Sequence, residues 1–346
     1  MKALYTAGPK RFELAERPKP APASDEVLVR VRSVAICHTD LNIKNGLSPA
    51  VVYPRIPGHE IAGVVEACGS GVKHLRPGDF GALQTIIGCG GCAPCRLGLT
   101  NNCEHFDELG LKRDGGFAEY CTIPEKNFVK LDPATDPDCA CLSEPLANAV
   151  SAVRRAGVKP LHSAVVIGPG PIGLLVLAML RLNGLDDIIL AGTRDERLAL
   201  GKRYGASHLV NVRKCDAADV IRNQLLGGRG ADLVFDCSGT SSGFTLSLAT
   251  VARFGKIIIE GLVHPDDRVP FSPGMLPGNA SIITVEGWLP EDFQTAATLI
   301  ETGRVDVGGL ITHRMPLTQW QRGFELAETK GEGIIKAILH PCSEEE

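Results

Sequence analysis

Ala164-Val-Val-Ile-Gly168-Pro-Gly170-Pro-Ile-Gly173-Leu-Leu-Val-Leu-Ala-Met-Leu-Arg-Leu182 is the stretch whose reading decides the fold. Four apolar residues without alternation, Ala164 to Ile167, read as a strand covered on both faces. Three glycines spaced G-x-G-x-x-G follow, and an apolar run about three turns long opens from them. In that context Gly168 permits the tight turn, Gly170 lets the backbone approach a pyrophosphate, and Gly173 lets helix and strand pack closely. The helix N-terminus offers unpaired N–H groups and a positive dipole end to phosphate oxygens. A tight strand-to-helix turn with no ligand is the plainer alternative.

Working outward toward the C-terminus, the alternation continues. Asp187-Ile-Ile-Leu-Ala191 reads as the next strand and Asp195 to Tyr204 as a helix. Asp232-Leu-Val-Phe-Asp236 and Lys256-Ile-Ile-Ile-Glu260 are further strands. Strands alternating with helices imply an α/β fold with a doubly wound parallel sheet, covered by helices on both faces. From Glu291 onward the chain reads as helix-rich, closing on Gly333-Ile-Ile-Lys-Ala-Ile-Leu339, a strand able to return to the first domain.

Toward the N-terminus the character differs. Glu26-Val-Leu-Val-Arg-Val-Arg-Ser-Val34 alternates as a half-buried strand, and Glu60-Ile-Ala-Gly-Val-Val-Glu66 is another. Pro20, Pro22, Pro54, Pro57 and Pro77-Gly-Asp79 punctuate them, which implies a compact β-barrel-like domain. The expected divisions are 1–145 for this domain, 146–290 for the nucleotide-binding domain, and 291–346 for the return segment.

The end of the second strand of a dinucleotide site carries an acid when the ribose 2′-hydroxyl is to be held. Here the run is Leu190-Ala-Gly192-Thr193-Arg194. Glycine removes the bulk and repulsion an acid would present to a 2′-phosphate. Thr193 can hydrogen-bond that phosphate and Arg194 can pair with it bidentately. The run favours NADP over NAD; the alternative is that Asp195 swings back to the ribose. Expected cofactor contacts are Gly168, Gly170, Pro171, Ile172, Gly173, Gly192, Thr193, Arg194 and Leu262.

Cys89, Cys92, Cys95 and Cys103 have the C-x2-C-x2-C-x7-C spacing of a closed structural zinc site. Few basic or aromatic residues flank them, which disfavours a nucleic-acid zinc knuckle. A second set, Cys37, His59, Glu60 and Glu144, offers the ligand mix of a zinc left open for chemistry. Cys37 and His59 are the firm pair. Either Glu60 or Glu144 completes the set, the other standing behind it or exchanging with it. Two zinc ions per subunit are therefore expected.

Bulk properties bound the partners. The 346 residues exceed one ordinary core, so two domains are the prior. A net charge of −4 gives no electrostatic reason to expect nucleic acid or an anionic membrane. No apolar run is long enough to span a bilayer. Met1-Lys-Ala-Leu-Tyr5 lacks the features of an export signal, and the twelve cysteines suit metal ligation in a reducing compartment. A cytoplasmic location is expected. Cys68, Cys121, Cys139, Cys141, Cys215, Cys237 and Cys342 lack metal-like spacing and read as small buried residues.

Together these residues resemble the zinc-containing medium-chain dehydrogenase/reductase superfamily, from Met1 to about Pro341. The resemblance rests on Cys37-His-Thr-Asp-Leu41, Pro57-Gly-His-Glu60-Ile-Ala-Gly63, Arg76-Pro-Gly-Asp79, the four-cysteine loop, Asp114-Gly-Gly-Phe-Ala-Glu-Tyr120 and the Gly168 fingerprint. It implies a GroES-like catalytic domain, a Rossmann coenzyme domain, and a homodimer or homotetramer. Glu144-Pro-Leu looks most like the polyol, threonine and secondary-alcohol branches, and relatives of the NADP type carry Gly-Ser/Thr-Arg where Gly192-Thr193-Arg194 stands.

What the resemblance implies is hydride transfer between a small alcohol or ketone and the nicotinamide, with Cys37, Thr39, His59 and Glu60 at the centre. One departure stands out: a histidine often lies five residues after the ligand cysteine, in a proton relay, and here that place is Asn42. An amide cannot carry a proton as imidazole does, which leaves the cofactor ribose and water, or a residue such as His38. Three readings compete: an alcohol or polyol dehydrogenase, an amino-alcohol dehydrogenase, and a non-catalytic NADPH-binding protein. The presence of all four site residues disfavours the third.

Overall fold

Glu26–Ala35 is buried along nearly its whole length, and three partners explain why. It pairs antiparallel with Glu60–Cys68, with Tyr120–Pro124 and with Lys336–His340. The seven-stranded sheet built on it runs Ile311–Pro316, Lys336–His340, Glu26–Ala35, Glu60–Cys68, Phe80–Leu83 and Phe128–Lys130, with Tyr120–Pro124 off that path. Register shifts between Leu28 and Val29 and between Val31 and Ser33 mark bulges that bend the central strand. Phe117, Phe324 and Trp320 pack edge-on in the core beneath, with ring centroids 5.7–5.8 Å apart.

The computed structural model describes residues 1–261, 268–269 and 271–342. Leu262 and part of the stretch Gly261 to Trp288, expected in the cofactor and substrate walls, lie outside the described residues. Two compact units are present, one of residues 1–147 with the chain from Leu289 onward, the other Asn148–Trp288.

The second unit holds a six-stranded, wholly parallel sheet. Its spatial order is His208–Asn211, Ile188–Gly192, Ala164–Ile167, Ala231–Asp236, Val251–Ile259 and Ser281–Thr284. Numbered along the unit this is 3-2-1-4-5-6, the doubly wound order, and its switch point falls beside Ala164–Ile167. The helix Pro171–Leu182 starts there, as the sequence implies.

Two elements of this unit are not evident in the sequence. Ser241–Thr250 is a helix built largely of Ser, Thr and Gly, residues of weak helix propensity. Thr240 caps it, accepting from Gly243 N at 3.1 Å, and Thr245, Ser247 and Thr250 donate back to carbonyls one turn earlier. His208–Asn211 is an edge strand too short to show a period.

Asp138 ties the returning strands to the first sheet. Its carboxylate accepts from Ser33 Oγ (2.6 Å), Arg314 Nε (2.6 Å) and His340 Nε2 (2.8 Å), each on a different strand. Burial alone would raise its pKa, but these donors outweigh it and hold the carboxyl at about 2. A depressed folded pKa stabilises above the unfolded value and is lost as pH falls through the folded one. Asp138→Asn is therefore expected to cost on the order of 2 kcal/mol at neutral pH. The gap between wild type and variant should be full above about pH 4 and close toward pH 2, as read by denaturant midpoints across that range.

Candidate metal centres and coenzyme site

Cys37 stands where the strand Glu26–Ala35 gives way to the helix His38–Asn45, at the helix N-cap. Its backbone N–H donates to Asp40 Oδ2 at 2.8 Å, which fixes the turn and leaves Sγ at the positive end of the helix. Thr39 Oγ1 lies 3.7 Å from that sulfur. His59 and Glu60 arrive from Pro57-Gly58, where Gly58 has φ +94° and a Cβ would come within 2.9 Å of Phe117 N. Only glycine fits that corner. The ligand atoms of Cys37, His59 and Glu60 all lie within 4.8 Å of one another.

The centre is anionic and buried. Asp40 is 0% exposed and Glu60 1%. Burial would lower the pKa of His59, yet Cys37, Asp40 and Glu144 raise it well above the ordinary value. Glu144, in the first turn of the helix Ser143–Ala156, acts on His59 and Lys336 through its charge but stands outside the trio.

Lys336 Nζ binds Glu60 Oε1 and donates to Ile36 O at 3.2 Å. Burial opposes its charge, but Glu60, Cys37 and Glu144 more than offset this and keep it protonated. Glu60 Oε2, His59 Nδ1 and Asp40 Oδ1 are buried without a hydrogen bond. Atoms of that kind are costly unless something meets them. One thiolate, one imidazole and a carboxylate oxygen within mutual reach fit a divalent zinc. Asp40 Oδ1, 3.7 Å from His59 Nδ1, is placed to orient the imidazole from behind.

The four-cysteine loop closes on itself. All four sulfurs lie within 4.8 Å of one another, and none is in a disulfide. Backbone N–H groups of Cys89 and His105 each point at Cys103 Sγ from 3.3 Å. The N–H groups of Cys92 and Gly91 bring Cys89 down to about 6, whereas desolvation pushes Cys95 up to about 12. Like charges at this spacing resist joint ionisation, and a cation removes the conflict.

At the coenzyme turn Gly168 has φ +106°, and a Cβ there would come within 2.9 Å of Cys237 O. A Cβ on Gly173 would sit 2.0 Å from Gly168 O, so helix and turn are in backbone contact. Gly170 faces open space and caps the helix, with Pro171 and Ile172 in its first turn. Gly192 has a packing reason of its own: a Cβ would meet Pro169 Cδ at 2.5 Å. Thr193 is exposed and Arg194 half-buried at the start of the helix Asp195–Arg203. Asp195 accepts from Asn211 Nδ2 (2.7 Å) and Lys214 Nζ (2.6 Å) at the surface.

Sequence reasoning passed over Asp40, Lys336 and Glu108. Asp40 lay inside the quoted run, and Lys336 is the one charge in the apolar segment Ile334 to Leu339. Glu108 is half-buried, and burial pushes its carboxyl up to about 7. His59 opposes that rise, while Glu144, Asp40 and Asp107 add to it. The expectation that seven further cysteines are buried holds for Cys121 and Cys141 and needs correction for the other five. Cys215 is exposed, and Cys68, Cys139, Cys237 and Cys342 are only partly buried, Cys68 packing against the edge of the core cluster and Cys237 following the end of the strand Ala231–Asp236. Phe117 and Trp288 are fully buried packing residues.

Fold and site together define a zinc-containing dehydrogenase. The sequence profile of the Alcohol dehydrogenase GroES-like domain matches residues 23–133, and that of Zinc-binding dehydrogenase matches residues 171–302. The chain belongs to the zinc-containing medium-chain dehydrogenase/reductase superfamily. It is similar to an L-threonine 3-dehydrogenase of Bacillus velezensis, 34% identical over 95% of each chain. It is also similar to the L-galactonate-5-dehydrogenase of Escherichia coli, 30% identical over 98% of each. A zinc-binding dehydrogenase of Sinorhizobium meliloti bound to NADP superposes with a TM-score of 0.92, at 27% identity, covering 98% of this chain and 99% of that one. The protein is an oxidoreductase of the zinc-dependent alcohol and polyol dehydrogenase type, served by zinc and a nicotinamide dinucleotide. Among the described residues no helix is long and apolar enough to cross a membrane.

Removing Lys336 strands the buried Glu60 carboxylate. Lys336→Met is expected to cost about 3–5 kcal/mol, read from denaturant unfolding of the zinc-loaded protein. Lys336→Arg should recover most of the loss.

Proposed function

We propose that the enzyme transfers hydride reversibly between a secondary alcohol or sugar alcohol and NADP(H), at a zinc held by Cys37, His59 and Glu60. The observation that carries this is the mutual reach of those three ligand atoms, with Glu60 Oε2 buried and unpaired among them. Glu60 is the resting third ligand, steadied from behind by Lys336, and Glu144 is the carboxylate able to exchange with it. A second zinc held by Cys89, Cys92, Cys95 and Cys103 fixes the loop. The metals fall within 1–145, 291–346 adds Lys336 behind Glu60, and 146–290 takes the coenzyme. A homodimer or homotetramer in a reducing cytoplasm completes the reading.

A zinc at the trio supplies Lewis-acid polarisation of the alcohol or carbonyl oxygen. Thr39 takes the hydroxyl proton of the substrate through its own hydroxyl. His38, next to it in sequence, has its pKa lowered by burial and by Lys330, so it is neutral at pH 7 and would pass a proton on toward solvent rather than keep it. It takes over the relay that Asn42 cannot serve. Asp40 holds the imidazole of His59 in one orientation.

Thr193 and Arg194 receive the 2′-phosphate of NADP. The engagement of Asp195 with Asn211 and Lys214 supports this, because no acid at the strand end is then left for a ribose hydroxyl. The packing of Gly192 on Pro169 favours the alternative that glycine is structural and NAD also serves. Similarity to threonine dehydrogenases supports an amino alcohol as the second substrate reading.

Arg194→Ala should raise KM for NADP+ roughly 10–100-fold while moving KM for NAD+ far less. Equal effects on the two coenzymes would refute the phosphate role. Cys37→Ala should lose one of two zinc ions by elemental analysis and abolish turnover while NADPH still binds. Wild-type turnover in that zinc-poor variant would sink the site assignment.

A further inference from the structure

Within the second unit, the ends of two neighbouring strands are clasped together by side chains. Ile188–Gly192 and His208–Asn211 run parallel with Gly192 opposite Asn211, and Val212 N donates to Gly192 O at 2.9 Å. Asn211 then shapes the chain that follows it. Its Oδ1 accepts from Arg213 N and its carbonyl from Lys214 N, both at 3.0 Å, the first being the bond of an Asx turn. Nδ2 of the same side chain reaches across to Asp195 Oδ1 at 2.7 Å. Lys214 Nζ, at the end of the turn, meets Asp195 Oδ2 at 2.6 Å. Both oxygens of Asp195 are therefore occupied, and Lys214 and then Asn211 hold its carboxyl below the ordinary range.

Stability does not account for this clasp. Asp195 opens the helix Asp195–Arg203, where the positive helix end favours an acid without any lysine. The side chains of Lys214 and Asp195 are 66% and 61% exposed, and ion pairs so exposed add little to folding. Their position is what sets them apart. Asp195 directly follows Arg194 and comes three residues after the strand end at Gly192, the place where a dinucleotide fold reads the adenosine ribose. Cations gather here: burial and then the Arg194 charge lower the pKa of the half-buried Arg197 guanidinium. In such surroundings an uncovered Asp195 would be the charge out of place for an anionic ligand.

Resting on the coenzyme reading above, we infer that Lys214 is a specificity-determining residue for the coenzyme. It covers the charge of Asp195, with Asn211 holding the turn that brings it there, so that a dinucleotide bearing a 2′-phosphate is not repelled. Uncovered, Asp195 disfavours that phosphate and offers an acceptor to a ribose hydroxyl, the two properties of an NAD site. Covered by an ammonium and an amide, it has neither. The selection of NADP then comes from two strands: Thr193 and Arg194 attract the phosphate, and Lys214 silences the acid beside them.

The test titrates the zinc-loaded full-length enzyme with NADPH and with NADH, reading each Kd by nicotinamide fluorescence and Tm alongside. Wild type should bind NADPH the more tightly. Lys214→Met should lower the preference for NADPH over NADH roughly 3–10-fold at low salt, with Tm almost unmoved. Lys214→Arg, which keeps the charge, should hold the preference within about twofold. Adding Asp195→Asn to Lys214→Met should restore the preference to within about twofold of wild type, because the charge to be covered is then gone. An unchanged preference in Lys214→Met overturns the inference. So does a double variant as impaired as Lys214→Met, which would mean that the lysine meets the phosphate itself. A lower Tm with both dinucleotides weakened equally would mark the clasp as structural and overturn it too. Arg194→Ala separates the two ideas: weakened NADPH binding there, with Lys214→Met unmoved, rejects Lys214 alone. A wild-type preference for NADH, with Arg194→Ala affecting both dinucleotides equally, rejects the phosphate site and Lys214 together.

Discussion

The buried pair of Lys336 and Glu60 is the constraint on which the first unit depends. A cysteine, two glutamates and an aspartate are gathered around one imidazole in a space that excludes most water. Carboxylates so placed repel one another and lose hydration, and a single counter-charge in their midst changes the balance. That lysine comes from the last strand, 276 residues after Glu60 along the chain. Lys336–His340 must pair with Glu26–Ala35 before the charge arrives, so completing the sheet and completing the site are one event.

The same strand ordering explains the Asp138 node. Arg314 and His340 reach Asp138 from the two strands of the return segment, while Ser33 reaches it from the central strand. Two polar clusters, Lys336 with Glu60 and the donors around Asp138, therefore pin the return segment. They leave the surrounding apolar packing of Phe117, Phe324 and Trp320 to supply the bulk of the burial.

The coenzyme unit follows a simpler rule, backbone approach. Gly173 and Gly168 touch through backbone atoms, and Gly192 makes room for Pro169. A glycine at the end of the second strand thus answers two demands, packing against the turn and the absence of an acid. Asp195, the nearest candidate acid in the chain, is drawn off by Asn211 and Lys214, which no spacing rule anticipates.

Legibility divided along the same physical lines. The strand Ala164–Ile167 and the helix Pro171–Leu182 were readable because their periodicity and glycines are local properties of contiguous residues. So were the four-cysteine loop and the pair Cys37 and His59, where ligand chemistry restricts residue type and spacing. The helix Ser241–Thr250 was not readable, since its hydroxyls acquire helical value only through capping and i−4 bonds formed on folding. The roles of Lys336 and Asp40 depended on which charges became neighbours across long separations in the chain. Sequence by itself determined the class of fold, the kinds of ligand and the presence of a dinucleotide turn, because these rest on local geometry and side-chain chemistry. Tertiary structure alone decided that Glu60 is held by Lys336 through one oxygen and left unpaired at the other, because burial and electrostatic neighbours are set only when distant strands close into one sheet.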